Sequence, residues 1–306
     1  MTESRSIIIP PFLQPADRVA IVSPSGAVRD SFIDGAAAAL AAMGFSPVVM
    51  PHARGSYGSY AASAEDRFSD FSIALLSRDI KAILCSRGGY GAVHLVEKLS
   101  RMPLRENAKW IIGFSDISAL HALWQFKGMA SILGPMGRHL TENPSDHPSV
   151  TALRDMLSGS PRAVEAPAHT FNRCGEASGI VRGGNLAVLS SLQSTPFCAF
   201  IPGSILVIED INEPIYRLER MLWELRLQGV LAEISGLVCG AFTGTGADRN
   251  YASAEEMIRD MTAPYGYPVA FGMPVGHIPE NMPIMLGSRA QLSVSERGAH
   301  LTFFQE

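Results

Sequence analysis

The sequence predicts an α/β protein of two domains, the first a doubly wound parallel sheet and the second a smaller α/β unit. Three observations carry this expectation. The chain has 306 residues, about twice a typical domain. Short β-branched runs alternate with amphipathic segments from Val19 to Leu157, which is the pattern of βαβ units. Between Ser158 and Gly179 that pattern fades into Gly, Pro, Ser, Arg and Asn, and beyond Gly179 it resumes. The expected division is residues 1–160, a linker over 161–178, and residues 179–306.

Taken in order, Val19 to Val22 reads as the first strand, ending in Ser23-Pro24-Ser25-Gly26. Asp30 fits a helix N-cap, an alanine-rich helix follows to Met43, and Gly44 stands where a C-terminal glycine belongs. Phe45–Met50 is the next strand, 64–77 a helix and 82–86 a strand that closes in Arg87-Gly88-Gly89-Tyr90-Gly91. A helix then runs to Leu99, followed by a strand at 110–114, a helix at 116–126, a strand at 130–133 and a helix at 150–157. The second unit reads as strands at 204–209, 236–243 and 269–273, helices at 213–227 and 254–261, and a terminal hairpin around Glu296-Arg297-Gly298. The stripe Ile215, Leu218, Met221, Leu222 and Leu225 is most simply the core face of a helix.

Composition excludes several classes. Hydrophobic residues make up 47% and charged residues 18%, enough apolar surface to bury a sizeable core. Twenty-five basic residues against 29 acidic ones give a net charge of −4, which offers no field to draw in nucleic acid. The N-terminal apolar run, Ile7 to Ile9, is too short for a signal-peptide core, and no later stretch reaches the ~18 residues of a membrane span. Cys85, Cys174, Cys198 and Cys239 are scattered without CxxC spacing, so a reducing, cytoplasmic setting is expected and no structural metal. No HExxH motif or close His/Cys/Asp cluster is present, and no cofactor is expected.

The sharpest feature is Trp110-Ile111-Ile112-Gly113-Phe114-Ser115-Asp116-Ile117, an apolar strand delivering a serine to a strand-to-helix turn. That placement exposes a hydroxyl at the carboxyl end of a sheet, where open α/β folds bind ligands. The logic is that of a nucleophile elbow, although Ile117 replaces the second glycine of G-x-S-x-G. A plain helix N-cap fits the same segment. The Arg87–Gly91 loop also follows a buried strand, and its glycines suit either a tight turn or an oxyanion donor beside Ser115. Among eight histidines, His94 and His121 fall within helices, and His52, His139, His147, His169 and His300 lie near loops or on the hairpin. His277 comes just after a strand, fixed by glycines and a proline, and is the candidate base, with a structural role as the alternative. Glu209, ending the strand Ile205-Leu206-Val207-Ile208, is the candidate orienting acid, with Asp210 its rival and Glu213 a helix-start charge.

Taken together these segments resemble the LD-carboxypeptidase family of serine peptidases, the muramoyltetrapeptide carboxypeptidases, whose relatives include the microcin C immunity peptidases. The resemblance rests on Ser23-Pro24-Ser25, Arg87–Gly91, Gly113–Asp116, Gly134-Pro135-Met136, Gly183–Leu186, Glu209–Pro214, Tyr216-Arg217 with Arg220–Leu222, and Gly276-His277, in that order. It implies a flavodoxin-like N-terminal domain similar to class I glutamine amidotransferases, and a triad of Ser115, Glu209 and His277 facing across a cleft between domains. It implies oxyanion donors at the Gly88 and Asp116 amides. Candidate substrate contacts are Gly89, Tyr90, Met136 and Asn185, and for a free carboxylate Arg87, Arg182 and Arg217 are alternatives by charge and by nearness to the motifs. The expected substrate is a small muropeptide and the expected assembly a cytoplasmic homodimer in peptidoglycan recycling. Ile215, where many members have proline, and Leu218-Glu219, where Ile-Asp is common, are its departures. An immunity-type peptidase acting on aminoacyl nucleotide conjugates is the first alternative, although the sequence shows no aromatic cluster near the triad. A non-catalytic small-anion binder is the second.

Overall fold

The computed structural model describes residues 6–304. The chain forms two compact units, one running to Pro161 and including Met282–Met285, the other comprising Arg162–Asn281 and the chain from Leu286 onward.

The first unit is built from β1 (Arg18–Val22), α1 (Asp30–Ala42), β2 (Ser46–Val49), α2 (Ala64–Leu76), β3 (Ile80–Cys85) and α3 (Val93–Ser100). It continues with β4 (Trp110–Gly113), a 3-10 turn (Ser115–Ile117), α4 (Ser118–Phe126), β5 (Ser131–Leu133), α5 (Gly137–Glu142) and α6 (Pro148–Leu157). The strands lie in the order β2-β1-β3-β4-β5, the flavodoxin-like order. β1, β3 and β4 are parallel neighbours, and all four residues of β4 are buried, as a central strand covered on both faces requires. Trp110 and Trp124 are the largest fully buried side chains, each worth roughly 1.5–3 kcal/mol of burial. Asp30 is the first residue of α1 instead of its cap: Arg29 is the N-cap and caps nothing with its side chain, while the Asp30 charge sits in the first turn.

The second unit holds β6 (Val164–Pro167), β7 (Gly175–Asn185), α7 (Leu186–Ser191), β8 (Ile205–Ile211), α8 (Ile215–Leu227), α9 (Val230–Glu233), β9 (Gly236–Thr243), α10 (Ala254–Thr262) and β10 (Val269–Ala270). After β11 (Ile284–Leu286), which pairs with β5 in the first sheet, come β12 (Arg289–Ser295) and β13 (Gly298–Phe303). The second sheet runs β10-β9-β8-β7-β12-β13-β6, with β7 to β10 parallel and β12, β13 and β6 antiparallel. Residues 161–178, expected as a linker, contain β6 and the start of β7. The proline of Ala166-Pro167 sits on an edge strand paired with β13, where a missing N–H is tolerated. The strand expected over 269–273 stops at Ala270, because the Phe271 amide is taken by Asn172 Oδ1 at 2.8 Å and Gly272 turns at φ 69.

Candidate active site

Ser115 follows Phe114 directly after β4 and has φ 62, one of three non-glycine residues with positive φ among the described residues. Such a conformation costs about 1–3 kcal/mol and marks sites where geometry is imposed. The N-cap of the 3-10 turn is Phe114 and that of α4 is Ile117, and neither caps with a side chain, so Ser115 is not a helix cap. The absent second glycine of the motif is accommodated from the other side. A Cβ on Gly113 would stand 3.0 Å from the Ile117 side chain and 3.2 Å from Cys85 Cβ, so Gly113 provides the space that buried Ile117 fills.

Because β3 and β4 are parallel neighbours, the loops after them end side by side. A Cβ on Gly88 would lie 2.8 Å from Ser115 Cβ, 3.0 Å from its Oγ and 3.3 Å from the Asp116 amide nitrogen. The glycine therefore brings its backbone against the serine as no other residue would. Gly89 and Gly91, at φ 109 and 122, bend the loop around this approach. Asp116 stands in the first turn, where backbone N–H groups have no intrahelical acceptor. The Gly88 backbone is thus packed against both Ser115 and the Asp116 amide.

The Asp116 carboxylate, buried, ties three strand ends together. Its Oδ2 accepts from Ser25 Oγ at 2.6 Å, after β1, and from the Ala92 amide at 2.8 Å, after β3. Beneath them the buried Arg67 guanidinium donates to the carbonyls of Pro24, Ala62 and Gly91 and to His94 Nδ1, and burial pulls its pKa below the usual arginine value. Ser23 completes the Ser23-Pro24-Ser25 segment, bonding Ser86 Oγ and the Ala53 carbonyl, each at 2.6 Å.

In the second unit Glu209 lies on β8, every residue of which through Asp210 is buried. Its Oε2 meets His277 Nδ1 at 2.7 Å. A carboxylate only accepts, so Nδ1 carries the proton of this bond and Nε2 is left as the basic nitrogen. Two glycines make room for the pair: a Cβ on Gly276 would stand 2.8 Å from Glu209 Oε2, and one on Gly240 3.2 Å from Glu209 Cβ. The Gly276 amide is held by Asn281 Oδ1 at 2.8 Å. Asp210 does something else. It accepts from Asn185 Nδ2 at 3.0 Å, the Ala187 amide at 2.8 Å and its neighbour Ile211, organising the start of α7, and burial raises its pKa to about 6.

The other candidates take definite positions. His121 is fully buried between Ser131 Oγ at 2.9 Å and the Gly113 carbonyl at 2.8 Å, and burial lowers its pKa to about 4. It is a neutral support for β4 and β5. His52 bonds Asp70, His147 caps α6, His169 stacks on Phe271 and His300 pairs with Glu165. Gly89 and exposed Tyr90 lie on the loop of Gly88, and Arg87 there donates to the Ala27 carbonyl. Arg217 pairs with Glu213 at 3.1 Å, and Arg182 is half-buried with Nη1 lacking an acceptor. Met136 caps α5 without a side-chain bond, and Asn185 caps α7 through the Val188 amide at 3.1 Å. No set of three potential metal ligands occurs among the described residues. No helix among them is long and apolar enough to cross a membrane.

One expectation needs correction. Tyr60, Tyr90 and His94 form an aromatic cluster, with ring centroids 5.4–6.0 Å apart, at the Arg87–Gly91 loop, and Arg67 lies over Tyr60. It escaped sequence reading because Tyr60 arrives from the loop before α2, 30 residues away from Tyr90. Arg67, the Asp116 carboxylate and Asn281 were likewise missed, since each looks in sequence like an ordinary surface or helix-start polar residue.

Fold and local geometry are those of a serine peptidase on an α/β scaffold. The chain belongs to the LD-carboxypeptidase family: the family's N-terminal domain matches residues 19–134 and its C-terminal domain residues 178–292. It is 31% identical to the murein tetrapeptide carboxypeptidase of Pseudomonas aeruginosa, over 91% of this chain and 94% of that one. The crystal structure of muramoyltetrapeptide carboxypeptidase from Oxalobacter formigenes superposes with a TM-score of 0.85 at 26% identity, covering 94% of this chain and 99% of that one. The microcin C7 self immunity protein MccF shares the fold, with a TM-score of 0.85 at 20% identity over 96% of this chain and 98% of that one.

Proposed function

We propose that the protein is a serine LD-carboxypeptidase that removes the terminal D-alanine from the muropeptide L-Ala-D-Glu-meso-diaminopimelate-D-Ala. The observation that carries this reading is Ser115 at φ 62 with Gly88 packed against its hydroxyl. Ser115 Oγ attacks the carbonyl of diaminopimelate at its L centre while His277 Nε2 takes the hydroxyl proton and Glu209 stabilises the imidazolium. The Gly88 and Asp116 amides bind the oxyanion. Collapse breaks the peptide bond, the imidazolium proton passes to the departing D-alanine amine, and water activated by the same histidine hydrolyses the acyl-enzyme. The reading requires Ser115, in one unit, and His277, in the other, to meet. The substrate's free carboxylate calls for a cation, and Arg87 is the arginine that stands on the oxyanion loop. Family resemblance supports a cytoplasmic homodimer working in peptidoglycan recycling.

The test is release of free D-alanine from the tetrapeptide, with Ser115→Ala as control. Release that survives the substitution sinks the nucleophile assignment. A second reading, cleavage of aminoacyl nucleotide conjugates, gains an observation in the Tyr60–Tyr90–His94 cluster, a surface on which a base stacks. Faster turnover of an aminoacyl sulfamoyl adenylate than of the tetrapeptide would favour it. Failure of an active-serine probe to label Ser115 would favour a non-catalytic binder.

A further inference from the structure

Glu209 and Asn281 are both fully buried, and each leaves one polar atom without a partner. Glu209 uses Oε2 for His277 while Oε1 has no hydrogen bond, and Asn281 uses Oδ1 for the Gly276 amide while Nδ2 has none. Buried polar atoms are nearly always paired, so two orphans in one neighbourhood require an explanation. These two are complementary, because a carboxylate oxygen only accepts and an amide nitrogen only donates. They are also held around the same residue. Gly276 lies so close to the Glu209 carboxylate that a Cβ there would stand 2.8 Å from Oε2, and its N–H is the one Asn281 fixes. Gly276, at φ 115, immediately precedes His277. Asn281 is therefore anchored to the residue that packs against the carboxylate and precedes the imidazole.

We infer that Asn281 is a positioning residue for the acid–base pair: its Oδ1 fixes the Gly276 amide, and its Nδ2 donates to Glu209 Oε1 across one water. This rests on the proposed Ser115–His277–Glu209 reading. Held at both oxygens, the carboxylate keeps Oε2 on Nδ1, which fixes Nε2 as the nitrogen that takes the serine proton. Without the donor at Oε1, the carboxylate is free to swing, and more of its charge falls on the imidazole, which then holds a proton more tightly.

Asn281→Leu, close in volume and apolar, tests this in the full chain by D-alanine release across pH. The expected result is a 10- to 100-fold fall in kcat with KM within twofold, and an acid limb of the kcat/KM profile moved upward by about half a pH unit. A merely structural asparagine would lower Tm and leave both the limb and kcat in place, and that outcome overturns the inference. Should the leucine variant fail to fold, Asn281→Asp keeps an acceptor for Gly276 and, at pH 8, lacks the donor. It is expected to lose at least tenfold in kcat, and wild-type kcat there overturns the inference equally. Glu209→Gln and His277→Ala run in parallel separate the two claims. If they retain activity the triad reading falls, and if they lose it while the Asn281 variants do not, only the role of Asn281 falls.

Discussion

Replacing Gly88 with alanine adds a single methyl group, and the structure says where it goes. The new Cβ would stand 2.8 Å from Ser115 Cβ and 3.3 Å from the Asp116 nitrogen, against an optimum of about 3.5–4.0 Å between carbons. The overlap with Ser115 is therefore roughly 0.7 Å or more. Both carbons are fixed to their backbones, so no rotamer relieves it, and either the loop or the elbow must move. Gly88 does not have positive φ, so alanine's own backbone preference is not the cause. A shift of that size takes the Gly88 amide out of the 2.7–3.1 Å window in which an oxyanion donor works, and losing one such donor lowers kcat by about 10²–10³-fold. Stability should change less. Overpacking costs about 1–3 kcal/mol, and the stiffer unfolded chain returns about 0.4–1 kcal/mol.

The assay pairs D-alanine release and the labelling rate of Ser115 by an active-serine probe with denaturant unfolding. The same substitution in a Ser115→Gly background meets no Cβ, so most of its stability cost should vanish there. Gly88→Ala within threefold of wild-type kcat/KM, or an equal stability cost in both backgrounds, would refute the proposed contact between loop and nucleophile.

Asp116→Ala should lower unfolding stability by roughly 2–6 kcal/mol, because it orphans the buried Ser25 hydroxyl and Ala92 amide, each worth about 1–3 kcal/mol when unsatisfied. Asp116→Asn retains one acceptor oxygen and should lose less; a loss below about 0.5 kcal/mol for the alanine variant, read by urea unfolding, would contradict the network. Two buried groups should oppose each other in acid. His121, lowered to about 4 from 6.5, is neutral when folded, so its contribution is complete above pH 6.5 and falls by roughly 3 kcal/mol as pH drops to 4. Asp210, raised to about 6 from 3.8, stays protonated in the fold, so its contribution is complete below pH 3.8 and falls by roughly 3 kcal/mol as pH rises to 6. Stability measured from pH 4 to 6 should rise with pH in Asp210→Asn and fall in His121→Gln; parallel slopes in the two variants would defeat the assignment.

The chemistry-bearing residues were legible because strand ends are legible. An apolar run that stops at a serine, or at a glutamate, marks the carboxyl edge of a parallel sheet, and the strands before Ser115 and Glu209 are both buried throughout. The glycines of Arg87–Gly91 also pointed to close backbone approach, which the 2.8 Å space at Gly88 expresses, whereas the equally tight approach of Gly276 to Glu209 was not foreseen. What sequence could not show is which polar side chains converge from distant segments. Asp116 reads as a helix-start charge until Ser25, 91 residues earlier, is found on its carboxylate. Arg67 reads as one more charge in a polar helix, yet it is 3% exposed and holds two loops. Asn185, expected among the substrate contacts, also bonds Asp210 and caps α7, two roles its motif did not disclose. The 161–178 segment misled for a related reason: an edge strand needs only one partner, and turn-forming residues are compatible with it.

The strain at Ser115 has to be sustained by something, and the magnitudes identify it. A non-glycine residue at φ 62 costs about 1–3 kcal/mol. Against this, the residue that follows makes two hydrogen bonds to its carboxylate, each contributing about 1.5–3 kcal/mol for a charged acceptor. The network at Asp116 is therefore large enough to hold the turn in its strained form. Its partners determine what else is held. Ala92 closes the loop that begins at Gly88, and Ser25 belongs to the loop after β1 whose Pro24 carbonyl Arg67 grips. The proposed nucleophile's turn, the Gly88 loop and the neighbouring strand end are thus one hydrogen-bonded assembly, centred on a residue whose own amide is a proposed oxyanion donor. A serine positioned this way needs no rearrangement of its own turn before reaction, because the bonds that hold the turn are already made.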